Sequence, residues 1–260
     1  MTTPESALER TRREPPPFRR VQVRRIDDLT PRLRRIVLGG DELEGFEVDE
    51  PAASVRLLLP VDGALEMPTW AGNQFELADG SRAPIRTFTP RFLDTEAHEL
   101  TLDIVVHDGG AATDWASSAS VGDEVAVSGP GSGYAIDTGA AGYLLAGDET
   151  ALPAICQLLE VMPPAMPVQV LVEIADAAAR MELPAHPATE VTWLRLPDGA
   201  EPGAALVDAV VSLPELPPAV WVAGEAASVQ RIRKHLFDER SLPRSAATVR
   251  GYWKQGRSAT

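Results

Sequence analysis

The sequence predicts two domains of different class: an antiparallel β-barrel followed by an open α/β domain with a parallel sheet. Two observations carry this. Short β-like runs broken by turn residues fill the first half of the chain, and from about residue 140 apolar strands alternate with helix-length segments. The length of 260 residues suits one large domain or two small ones.

Residues 1–16 are polar, run into Pro15-Pro16-Pro17 and read as a disordered lead. The barrel is expected over residues 17–138. Its strands are Val21 to Ile26, Leu33 to Leu38, Val55 to Leu59, Leu100 to Val106 and Glu124 to Ser128. Turn residues flank them, as in Gly39-Gly40-Asp41 and Pro60-Val61-Asp62-Gly63. The α/β domain is expected over residues 139–260. Ala141 to Ala146 opens it as a strand. Ile155, Leu158, Leu159 and Met162 then mark one helical face, with Thr150 as a candidate N-cap. Val168 to Ile174, Val191 to Leu196, Ala219 to Ala223 and Thr248 to Trp253 read as strands. Ala204 to Val211 and Ser228 to Phe237 read as helices.

With 38 acidic and 24 basic residues the net charge is -14, which disfavours nucleic acid and anionic membrane as partners. A single cysteine, Cys156, excludes an intrachain disulfide, a cysteine-ligated iron–sulfur cluster and a CxxC pair. The histidines His98, His107, His186 and His235 form no metal motif, so no metal site is expected. No apolar run reaches membrane-spanning length and no signal-peptide region opens the chain, so the expected location is the cytoplasm.

Arg86-Thr87-Phe88-Thr89-Pro90-Arg91 concentrates binding chemistry. A guanidinium pairs with a diphosphate through a planar fork. A ring can cover a flat cofactor, and a hydroxyl can bond to its edge. An arginine beside a strand is also an ordinary solvated edge residue, so the pattern alone does not decide. Gly147-Asp148-Glu149-Thr150 sits between a strand and a helix, where backbone N–H groups can meet a dinucleotide phosphate. The same turn is equally an ordinary βα connection. Gly224-Glu225 repeats the scheme, and Glu225 can equally be a first-turn acid of the next helix. In His107-Asp108-Gly109-Gly110-Ala111-Ala112-Thr113-Asp114-Trp115, small residues allow close backbone approach to a phosphate. Trp115 reads as core and His107 as structural rather than catalytic.

In order and spacing these pieces resemble the siderophore-interacting protein family, flavin-dependent ferric siderophore reductases of the ferredoxin–NADP reductase superfamily. The resemblance runs from Val21 to Gly256. It includes Leu29-Thr30-Pro31-Arg32-Leu33, Asp103-Ile104-Val105-Val106-His107, Ser128-Gly129-Pro130-Gly131, Trp221-Val222-Ala223-Gly224-Glu225 and Gly251-Tyr252-Trp253-Lys254-Gln255-Gly256. It implies a bound FAD, with Arg86 on its phosphate, Phe88 against the isoalloxazine and Thr89 near N5 as the catalytic contact. Thr87, Asp103, Val105 and His107 would border the cofactor, and Arg91 would hold its pyrophosphate or adenylate side. Ala111, Ala112 and Thr113 would wrap the diphosphate. Gly147, Asp148, Glu149, Thr150, Gly224 and Glu225 would face NADH or NADPH, and Trp253 would lie near the flavin.

The implied substrate is a ferric siderophore, reduced to release Fe(II). Arg56, Arg250, Lys254 and Arg257 are the candidate cations for it. Glu173 and Asp176 would favour NADH, and Arg180 would favour NADPH. Two departures stand out: the family usually has tyrosine at Phe88, and Ala111-Ala112-Thr113 replaces its Pro-Ala-Ser. A general ferric-chelate or flavin reductase, and a non-catalytic siderophore-binding protein, are the rival readings. A monomer is expected, with a dimer compatible.

Overall fold

The computed structural model describes residues 14–107 and 109–256. Two main sheets divide the chain. The first takes β1 (Arg19–Thr30), β2 (Leu33–Gly39), β3 (Val55–Leu58), β6 (Ile85–Phe88), β7 (Pro90–Asp94), β8 (Glu99–Val105) and β9 (Glu124–Ser128). A two-stranded ribbon of β4 (Thr69–Trp70) and β5 (Phe75–Glu76) lies between β3 and β6 in the chain. The order of the large sheet is β6-β3-β9-β1-β2-β8-β7, and its pairings are antiparallel.

The two edge strands of this sheet are consecutive in the chain, and Thr89 alone separates them. One residue cannot span a flat seven-stranded sheet, so the sheet curls until its edges meet at Thr89. The result is a half-barrel. Inside it pack Val23, Ile36, Leu38, Leu57, Leu102 and Val125, each essentially without solvent contact.

After β8, Gly109 and Gly110 turn the chain with positive φ into helix α1 (Ala111–Ser118). The sequence pattern predicts no helix here. The apolar face of α1 consists of Trp115 and Ala116, both buried in the half-barrel core, which is too short to display a 3.6-residue period.

The second sheet is β12-β11-β10-β13-β14, formed by β10 (Tyr143–Asp148), β11 (Val168–Ile174), β12 (Thr189–Arg195), β13 (Ala219–Glu225) and β14 (Ala247–Trp253). Every pairing is parallel. Helices α2 (Leu152–Val161), α3 (Ala204–Val211) and α4 (Ala226–Lys234) cover it. Central β10 is buried on both faces. Tyr143 and Leu145 pack in the cluster containing Ile155 and Leu158 of α2, while Leu144 and Ala146 pack with Leu206 and Val229 on the other side. Strand order reverses between β10 and β13, the position at which open α/β sheets take ligands.

Three local expectations change. Asp148, not Thr150, caps the turn before α2, its side chain accepting from Thr150 N. Helix α4 gives way at His235–Glu239 to a π-type turn. Pro16, expected within the disordered lead, is fixed by its carbonyl, which accepts from the Ser128 hydroxyl at 2.6 Å. Residues 1–13 of that lead, and Arg257, lie outside the described residues.

The half-barrel and the parallel sheet are joined along a seam. Leu33 and Ala52 belong to the apolar cluster of the second sheet. Gln157 of α2 accepts from Ala52 N at 2.9 Å and donates to Pro90 O at 2.8 Å. Arg91 forks onto Glu160 of α2 at 3.0 and 2.6 Å, and Arg32 reaches Glu149 at 2.9 Å.

Candidate functional site

The closure of the half-barrel meets the end of β14. Thr89, 7% exposed, directs its hydroxyl to that of Tyr252 at 3.4 Å. The next residue, Trp253, lays its indole over His107 with the rings 28° from parallel and 6.4 Å between centroids. The β6–β7 link, β14 and the β8–α1 turn therefore meet at one place.

The Trp253 indole N–H donates to Asp148 Oδ2 at 2.8 Å. Asp148 is buried at the switch point, where Oδ2 also accepts from Glu225 N, and Oδ1 accepts from the backbone and hydroxyl of Thr150. Burial pushes its carboxyl above the usual carboxylate range, against the pull of the Thr150 and Trp253 donors. Glycine is required twice here. A Cβ on Gly147 would stand 2.4 Å from the Ala151 Cβ, and one on Gly224 would stand 2.6 Å from Asp148 Oδ2.

Several predicted contacts are committed elsewhere. Strand alternation separates Thr87 from its neighbours: Thr87 pairs with Arg56, whereas Arg86 and Phe88 pair with core residues Leu57 and Val55. Phe88 packs partly against the half-barrel core. The cofactor role expected of Arg91 meets a guanidinium already forked onto Glu160. Asp103 is likewise engaged by Arg35 at 2.7 and 2.8 Å, because the two face each other across β2 and β8. Val105 packs against the core of the second sheet. Glu149 accepts from Arg32 and from Ala175 N. Glu225 accepts from Ser228 N and Gln255 N, as a cap.

Arg250 donates to the carbonyls of Ala52, Ser132 and Gly133, which makes it a seam residue rather than an available cation. Lys254 is exposed beside Trp253. The NADH argument from Glu173 is corrected outright. Its carboxylate is buried and accepts from Gly203 N at 2.6 Å and Leu206 N at 3.0 Å, capping α3. Asp176 and Arg180 remain exposed just beyond β11.

At β3 and β6 lies a cavity of about 1090 Å³, bordered by Arg56, Arg82, Arg86, Thr87, Trp70 and Gln74 among others. Burial, then the like charge of Arg82, lowers the pKa of Arg86 from its ordinary value. Among the described residues, Arg56 and Arg82 have no carboxylate within ion-pair distance. Sequence reading missed Arg82 and Tyr252. Arg82 lies in a turn without periodicity, and Tyr252 stood inside a quoted motif with no partner visible from sequence.

The donor set fits a flavin dinucleotide. Gly110 caps α1 without a side chain, so the cap residue itself offers no oxygen to the first-turn N–H groups of Ala111, Ala112 and the buried Thr113. Arg86 supplies charge, and the Thr89 and Tyr252 hydroxyls, with the Trp253 ring, stand at the closure. Among the described residues no group of His, Cys, Asp and Glu is arranged to hold a metal ion, and no helix is long and apolar enough to cross a membrane.

Comparison with known proteins covers both halves. Residues 22–134 match the siderophore-interacting FAD-binding domain, and residues 140–256 match the siderophore-interacting protein family. The crystal structure of a siderophore utilization protein from T. fusca superposes with a TM-score of 0.83 at 35% identity, over 95% of this chain and 97% of that one. The ferric vibriobactin reductase ViuB of Vibrio cholerae is 31% identical, over 87% of this chain and 85% of that protein. An NADPH-dependent ferric-chelate reductase of Escherichia coli is 29% identical, over 91% and 92%.

Proposed function

The chain belongs to the siderophore-interacting protein family, and from that premise we propose that it is an FAD-dependent ferric siderophore reductase driven by NADH or NADPH. One turnover converts NAD(P)H and two ferric chelates into NAD(P)⁺, a proton and two ferrous chelates. When bound, the flavin would accept two electrons from nicotinamide and pass them singly to iron. Fe(II), with lower charge, is held less firmly by a hard oxygen-donor chelator, so reduction releases the metal.

The observation that carries this reading is the junction of Thr89, Tyr252, Trp253 and His107 at the closure of the half-barrel. Arg86 and the first turn of α1 would hold the diphosphate. The Thr89 hydroxyl would bond to the edge of the flavin ring. Gly147 and Gly224 let Ala151 and Asp148 close up against the switch point, where the nicotinamide would bind. Arg56, Arg82 and the exposed Lys254 would attract an anionic ferric chelate in a protein that is otherwise strongly acidic. No protein metal site is required, because the iron is substrate.

The test is the visible spectrum of the purified protein under anaerobic conditions, first alone, then with NADH, then NADPH, then a ferric siderophore with a ferrous trap. Bleaching of a flavin band by either nicotinamide, followed by trapped Fe(II), is expected. No flavin after FAD is supplied would remove the reading. The name of the Escherichia coli relative favours a second, broader reading as a ferric-chelate reductase. Equal rates with ferric citrate and ferric siderophores would select it.

A further inference from the structure

A buried carboxylate that caps a turn needs one oxygen. Asp148 uses both. Oδ1 accepts from Thr150 N at 2.9 Å and from the Thr150 hydroxyl at 2.5 Å, which is the capping function. Oδ2 points across the switch point to β13 and β14, accepting from Glu225 N at 2.9 Å and from the Trp253 indole at 2.8 Å. Gly224, with φ of 155°, leaves the space that Oδ2 occupies. Beneath the same segment, Glu225 takes Gln255 N at 3.3 Å. Two carboxylates at the switch point thus hold residues 253–255, and the ring so held covers His107 on the other domain.

We infer that Asp148 is a positioning residue, whose second carboxylate oxygen fixes the Trp253 indole as a wall of the flavin site between the two domains. This rests on the flavin reading above. An asparagine would still cap the turn. However, all four contacts come from donors at the two oxygens, so an amide nitrogen at either place would oppose N–H to N–H or to the hydroxyl. The negative charge is thus matched to Trp253 as well as to the turn.

The experiment compares full-length wild type, Asp148→Asn, Trp253→Phe and the double variant, each supplied with FAD. Fluorescence yield and visible circular dichroism of the bound flavin are read alongside FAD affinity. Trp253→Phe is expected to raise flavin fluorescence by removing a quenching ring, and Asp148→Asn to raise it by releasing that ring. The double variant is then expected to match Trp253→Phe, with no further rise. Additive effects, or an Asp148→Asn protein with wild-type flavin spectra, would overturn the inference.

Should Asp148→Asn fail to fold, ¹⁵N-labelled wild type gives the same answer. The Trp253 indole N–H, assigned by its disappearance in Trp253→Phe, should be shifted downfield and protected from solvent exchange. Exchange as fast as a free indole would overturn the inference. This resonance reads the bond with or without FAD, so failure of the flavin reading and failure of the Asp148 inference are separate results.

Discussion

At the seam between the two sheets, Arg32, Arg91 and Arg250 end on carboxylates or backbone carbonyls. At the cavity on the half-barrel, Arg56, Arg82 and Arg86 line open space, and burial, then the like charge of Arg82, lowers the pKa of Arg86. The same residue type performs two tasks, told apart by what its donors reach. A guanidinium with a buried partner fastens elements together. Arg56 and Arg82, with no carboxylate in ion-pair distance among the described residues, keep a positive field that an outside anion can neutralise. In a chain of net charge -14, such a gathering is a local exception.

The largest expected effect breaks the seam. Arg91 is 7% exposed and forks onto Glu160, whose side chain is 38% exposed, so solvent screens part of the pair. Arg91→Ala should cost about 2–3 kcal/mol in urea unfolding, from the lost fork and the lost packing over Phe92. A loss below about 0.5 kcal/mol would remove the distinction between the two sets.

The cavity should respond in the opposite way. Arg56→Ala combined with Arg82→Ala should leave unfolding within about 0.5 kcal/mol of wild type. The KM for an anionic ferric chelate should rise about tenfold, with a shallower dependence on salt. A stability loss matching that of Arg91→Ala, with KM unchanged, would make these arginines architectural after all.

The smallest effect reports on the seam from within. Burial pushes the Cys156 thiol up to about 11, and the nearby Arg91 charge pulls it down. Between the ordinary thiol range and that value, the folded protein keeps a proton the unfolded chain has lost. Stability should therefore fall as pH rises through that window. Cys156→Ala should flatten the fall, and alkylation of Cys156 in the native protein should be slow at neutral pH. Rapid alkylation would mean that the seam opens readily.

Sequence reading located the sheets well because strands such as Val168–Ile174 and Glu124–Ser128 carry short, mostly apolar runs between turns. The site was legible only in part. Thr89 was singled out, yet its place as the sole link between the two edge strands depends on strand order, which no local pattern encodes. Glu173 and Asp148 each stand at the C-terminal end of a strand, where a carboxylate reads the same whether it faces a ligand or a backbone N–H. Only the fold shows that Glu173 caps α3 and that Asp148 ties β10 to β14. The gathering of Arg56, Arg82 and Arg86 depends on β3 pairing with β6 and on the turn that returns Ala83 N to Phe75 O.

The Thr89–Tyr252 contact joins positions 163 residues apart. During synthesis the half-barrel strands emerge long before β14, and domains generally fold as units in that order. The nascent chain can therefore shape the arginine-lined side of the site but not its aromatic roof. The full junction of Thr89, Tyr252, Trp253 and His107 forms only after β14 has left the ribosome. A translation product interrupted before Ala247 would lack Tyr252 and Trp253, so premature termination would leave the Thr89 closure and the His107 ring without their partners from β14.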